Sequence, residues 1–146
     1  MFDRGLVLRY FAIKNAYDEF EHDVEPFITD YVRDVLEENR EFSKDYEEAL
    51  FKHTFQCVSS AIGEDAWRHY KDGKHKGAFS VYIFETIAVG LAVNIDFVRN
   101  LSPDVLCNMI IKFKQEPNFL DNTGPGANMK SKLRGRIDFA RSFFSQ

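Results

Sequence analysis

Residues 120–133, LDNTGPGANMKSKL, fall one residue short of a phosphate-binding loop: Gly124 is followed by four residues and then by Met129, Lys130 and Ser131. A working loop of this type follows a buried strand and brings backbone amides against phosphate. Here residues 114–122 are polar and interrupted by Pro117, and Met129 puts a side chain where the amides must approach. The stretch therefore reads as a loop that starts a helix. What survives is the ability of a helix N-terminus, flanked by Lys130 and Lys132, to hold a phosphate of any kind.

The other chemistry-bearing groups are sparse. His53 and Cys57 lie four residues apart in a helical pattern, the spacing of a Cys-His nucleophile, but no orienting acid or oxyanion donor is near in sequence, and a buried thiol beside a polar histidine is the reading. His69 and His75 flank a basic loop containing Arg68, Lys71, Lys74 and Lys76, without His-x-x-x-His spacing. Asp30, Asp34, Glu37 and Glu38 sit at helical spacing and read as the wet face of an amphipathic helix. None of these groups defines a catalytic, cofactor or metal site. Arg9 differs, because a guanidinium inside an apolar helix requires a hydrogen-bonded acceptor; a structural ion pair is expected.

The elements that must position these groups are helical. The 146 residues fit one domain, with 15 phenylalanines and 45% hydrophobic residues to build its core. Apolar residues surround the axis over residues 6–17 and recur from 79 to 93, predicting two mostly buried helices, with Gly90 allowing a close helix contact. Pro26 suits the first position of an acidic amphipathic helix. Ser43 suits the N-cap of a third, which Gly63 would end. Ser102-Pro103-Asp104 supplies cap, N1 proline and first-turn acid for another. Residues 71–77 read as a polar loop, and no strand pattern is found. The expected fold is an all-α bundle of about five to seven helices in a single domain, residues 1–146. No stretch reaches the length of a bilayer span and no secretory signal is read, and Cys57 and Cys107 suit a reducing compartment, so a cytoplasmic protein is expected.

Charge is unevenly spread. Residues 18–48 hold thirteen acids against Arg33, Arg40 and Lys44, a balance of −10 in a chain of net −4. The most basic part is the last helix, whose apolar stripe is read as Met129, Leu133, Ile137, Ala140 and Phe144. Lys130, Lys132, Arg134 and Arg141 flank that stripe and are candidates for weak, sequence-insensitive contact with nucleic-acid phosphates, while Arg136 borders it and is assigned a structural salt bridge.

Four stretches carry a family resemblance: GLVLRYFAI (residues 5–13), VEPFITDYV (24–32), KGAFSVYIFETIAVGLA (76–92) and RGRIDFA (134–140). In order and spacing the chain resembles the C-terminal helical part of the first domain of GmrSD-type restriction endonucleases, prokaryotic proteins with a ParB-like N-terminal half. Leu8-Arg9-Tyr10 looks like that family's Leu-Arg-aromatic helix, residues 27–31 like its Phe-Leu-Asn helix start, and Arg136-Ile137 like its terminal Arg-Ile pair. The family's catalytic half, with its Asp-Gly-Gln-Gln-Arg signature, precedes these helices and has no counterpart in this sequence, so no nucleotide-handling or DNA-cleaving residue carries over. The resemblance implies a non-catalytic module of a restriction or phage-defence protein, with the ParB-like domain as its partner in the same chain or a separate subunit. The chain's direct opening into an apolar helix reads as a fragment or a separately encoded remnant. A stand-alone interaction domain using the acidic residues 18–48 is the alternative.

Overall fold

The computed structural model describes residues 4–146. Its axis is helix α4, Val81–Val93, in which every residue from Ile83 to Ala92 is buried. Ser80 caps it, accepting from the Ile83 amide at 3.3 Å. The β-branched residues of this helix are poor helix formers in isolation; burial on all sides, not propensity, holds it. Helix α8, Lys130–Phe143, lies along one flank and helix α1, Arg4–Ala16, along another. The close approach of α8 depends on Gly90, where a Cβ would stand 2.8 Å from Ala140 Cβ and 2.9 Å from Phe144 Cδ2.

Helix α2, Val24–Leu36, packs on α1, and helix α3, Lys44–Ala61, packs on α4 and on α6, Pro103–Gln115. Two single turns, α5 at Ile95–Val98 and α7 at Pro117–Leu120, join six helices of thirteen residues or more among the described residues in an all-α architecture. Tyr10, Phe20, Leu50, Phe84, Phe113, Phe119, Ile137 and Phe144 belong to one continuous buried cluster, and Ala12, Ala16 and Tyr31 form a smaller one between α1 and α2. No helix among the described residues is long and apolar enough to cross a membrane.

The expected caps are present: Ser43 and Ser102 accept from the amides of Tyr46 and Val105, and Gly63 takes a φ of +69° after α3. Four expectations are corrected. Helix α1 is less buried than its apolar residues predict: Tyr10, Ala12, Ile13 and Ala16 are buried between α4, α2 and the Phe51 and Phe55 rings of α3, while Leu8 is 39% exposed. Helix α2 begins at Val24, which puts Pro26 at its third position, still in the turn whose amides lack intrahelical acceptors. Met129 leaves the buried stripe of α8: it is the N-cap residue, with extended backbone, and is 59% exposed. Residues 69–76 form an antiparallel hairpin, β1 at His69–Lys71 and β2 at Lys74–Lys76, with Tyr70 opposite His75 and Lys71 opposite Lys74. Asp72 and Gly73 turn it with φ of 55° and 79°, both left-handed as a two-residue type I′ turn requires.

Candidate functional site

Two of the four flanking cations of α8, Lys130 and Arg134, line an open cleft of about 740 Å³ together with Glu21, His22, Gly126, Met129 and Ser131, and Lys132 and Arg141 are not part of that lining. Helix α8 enters it without a side-chain cap, so its first-turn amides have no intrahelical or capping partner. Each cation nevertheless has an internal partner. Lys130 donates to both oxygens of Glu21 at 3.0 and 2.9 Å, and holds that carboxyl below its usual range. Lys132 donates to the carbonyls of Thr123, at 3.4 Å, and Pro125, at 3.0 Å, turning back onto its own loop. Arg134 donates to the carbonyls of Asp18 and Phe20, and the Arg141 guanidinium lies 5.3 Å from the centre of the Tyr17 ring. A phosphate bound here must share or displace these contacts.

Arg9 and Arg136 meet at one carboxylate. Glu85, on α4 and fully buried, accepts from Arg9 Nε through Oε2 and from Arg136 through Oε1. Two guanidinium groups against one carboxylate leave an excess positive charge in the interior, and backbone and side-chain oxygens of the 121–129 loop absorb it. Arg136 also donates to the carbonyls of Asn122, at 3.3 Å, and Ala127, while Arg9 reaches Asn128 Oδ1 at 3.3 Å. The Arg136 guanidinium lies 5.1 Å from the centre of the Tyr82 ring. Gly135 lets the same loop close in, since a Cβ there would stand 2.7 Å from Asn122 Oδ1. The near phosphate loop is thus anchored from behind by an ion-pair network.

A third polar centre is not visible in the sequence. Lys114, on α6 and 2% exposed, donates at 2.8 Å to the carbonyls of Asp65 and Arg68, and its Nζ lies 3.4 Å from His75 Nδ1. Burial pushes its pKa from 10.5 down to about 8, and burial together with Lys114 lowers that of His75. Arg68 closes the base of the hairpin, donating to Gly77 O at 2.8 Å, His75 O at 3.5 Å and Asp65 Oδ1 at 2.7 Å. The one sequence signal for it is a lysine four residues after Ile110, on the apolar stripe of α6 that also carries Leu106.

The remaining candidates stay apart. His53 and His22 are exposed, and Cys57 is half-buried, with a thiol whose pKa burial raises, the opposite of an activated nucleophile. Asp30 pairs with Arg33. No group of three or more His, Cys, Asp or Glu residues that could hold a metal ion occurs among the described residues. No protein-family model, curated protein or solved structure matches the chain. The functional reading rests on the residues themselves.

Proposed function

We propose that this chain is a non-catalytic helical module of a GmrSD-like restriction or phage-defence protein, supporting a nuclease or nucleotide-hydrolysing domain that a ParB-like half supplies. One observation carries the reading. Three of the stretches that resemble the family, around Arg9, Glu85 and Arg136, contribute their charged residues to one buried network. Residues from three distant parts of the chain, each within a stretch of family likeness, thereby act together to join α1, α4 and α8 and to fix the loop before α8. That is the work of a scaffold. The cations beside the loop are engaged internally, which suits a supporting role better than a catalytic one.

The experiment is co-expression with the product of an adjoining or continuous reading frame that carries Asp-Gly-Gln-Gln-Arg. A stoichiometric complex is expected, with all nuclease or nucleotide hydrolysis traceable to the partner half. A genome neighbourhood without such a frame, or hydrolysis by this chain alone, overturns the reading. The alternative, a stand-alone interaction domain, draws on the acidic segment, where Leu36 and Tyr46 are 77% and 62% exposed among carboxylates; a partner captured without any ParB-like half favours it.

A further inference from the structure

A hairpin with three residues per strand does not hold itself together in water. Here it is held by groups that are costly to commit. A buried ammonium, Lys114, is fixed on the carbonyls of Asp65 and Arg68 and against His75, and the Arg68 guanidinium ties the hairpin's two ends. Tyr70 and His75, opposite one another, pack ring to ring at 5.0 Å. Side chains alternate across a strand, so the register that places this pair on one face places His69, Lys71, Lys74 and Lys76 on the other. That second face carries three lysines and a histidine. Lys76 is paired with Asp72 at 3.0 Å. Lys71 and Lys74 are exposed and stand directly opposite each other, and neither ammonium group has a hydrogen-bond or ion-pair partner among the described residues.

Like charges directly across an antiparallel pair destabilise it. The fold therefore presents two unpaired ammonium groups side by side on an element that buried groups hold in place. We infer that the outward face of the 69–76 hairpin, centred on Lys71 and Lys74, is a contact surface for the phosphate backbone of nucleic acid. The composition of the face selects this partner. A protein interface is organised around buried apolar or aromatic anchors, and none of its four positions is apolar. A membrane contact of useful strength draws on a longer basic cluster or an apolar wedge, and the hairpin's one tyrosine is on the opposite face. Phosphate needs only charge at the right place. The same contrast separates this surface from α8, whose cations are already engaged. The contact is non-specific, since lysines on phosphate position a backbone without reading bases. The net charge of −4 keeps it weak.

The inference needs no catalytic half, so its failure leaves the scaffold reading standing, and failure to find that half leaves this one standing. The test is anisotropy of a fluorescent DNA duplex titrated with the full chain at several salt concentrations, for wild type and Lys71→Ala/Lys74→Ala. Both lysines are exposed, and an unchanged melting curve checks that the variant is folded. The expected result is about tenfold weaker binding at low salt and a log-log salt slope shallower by about 1.8, at about 0.9 for each phosphate no longer neutralised. Charge reversal, Lys71→Glu/Lys74→Glu, should abolish binding. Wild-type binding that survives both changes overturns the assignment, as does no binding at low salt. Retention on phosphatidylserine-containing vesicles without duplex binding overturns it in favour of a lipid surface, and salt-sensitive self-association without duplex binding in favour of a second copy's acidic segment.

Discussion

Glu85, itself fully buried, holds one negative charge between the buried Arg136 guanidinium and that of Arg9, which is partly exposed. Glu85→Gln keeps the shape and removes the charge, leaving fully buried Arg136 without a counter-ion; urea unfolding should show a loss of about 3–5 kcal/mol. A loss near zero would mean that the loop carbonyls alone suffice to hold Arg136. Gly90 offers a steric counterpart. Gly90→Ala gains about 1 kcal/mol of helix propensity, but its methyl would fall 2.8 Å from Ala140 Cβ on a packed helix. The neighbours are a helix methyl, backbone and a fully buried phenyl ring, which cannot swing aside like a surface side chain. The net effect should be a destabilisation of about 1–3 kcal/mol in the same assay. A more stable Gly90→Ala protein would show that α4 and α8 can separate without cost. Phe84 is fully buried against Phe55, Trp67 and Phe79. Phe84→Ala should therefore cost about 3–5 kcal/mol, and a loss under about 1 kcal/mol would contradict its place in the core.

At the scale of elements, the docking of the hairpin on α6 depends on pH through two groups with depressed pKa values. Asp65, Arg68, His75 and Cys107 are the titratable or charged groups that act on Lys114 there. His75 docked is held neutral, accepting from Lys114. Its contribution is therefore complete above about pH 6.5, its ordinary pKa, and is lost as pH falls below that value toward the lower folded one. Lys114 acts in the same direction at higher pH. The cost of burying its ammonium persists below about 8 and is relieved between 8 and 10.5, where the unfolded chain binds more protons than the folded one. A neutral amine can still donate to both carbonyls. Stability measured by urea unfolding should thus rise with pH through the lower window, and through the upper one wild type should gain on Lys114→Met, a comparison in which the opposing effect of the raised Cys57 thiol cancels; a difference that shrinks from pH 8 to 10 would contradict the assignment. The elements also show where sequence is sufficient. Ser43, Ser102, Gly63 and Gly90 are legible because each acts within a turn or on one close contact. Arg9 and Arg136 are legible as cations in apolar stripes, but Glu85 is not legible as their acceptor, since only tertiary packing brings residues 9, 85 and 136 together. Lys114 repeats the pattern on α6, where its carbonyl acceptors lie far off in sequence. Asp72-Gly73, a strong type I′ turn pair, does not reveal the hairpin because three residues are too few to display alternation. Met129 falls on the periodicity of the α8 stripe yet lies outside it, because periodicity does not mark where a helix begins.

The larger of the two buried clusters takes side chains from every helix, α1 to α8, and from the turn that carries Ala66 and Trp67. No element has an apolar core of its own large enough to survive the others' departure. The chain should unfold in a single cooperative transition. Trp67, the one tryptophan, makes this testable from a single site. Its ring lies 5.7 Å from Phe55 on α3 and 5.2 Å from Phe84 on α4, two residues before the hairpin begins. Its fluorescence therefore reports on the corner where hairpin, α3 and α4 meet, whereas far-ultraviolet circular dichroism reports on all helices together. Coincident urea curves from the two probes are expected at pH 7. Below His75's ordinary pKa of 6.5, where proton uptake favours its undocked state, the hairpin is the element placed to loosen first, and any separation of the two curves should open there, with tryptophan leading. Separation at neutral pH, or helix loss ahead of the tryptophan signal, would mean that α1, α2 and α8 form a unit independent of the α3–α4 corner. That outcome would contradict a scaffold in which Glu85 joins α1 and α8 to the same helix that Trp67 touches.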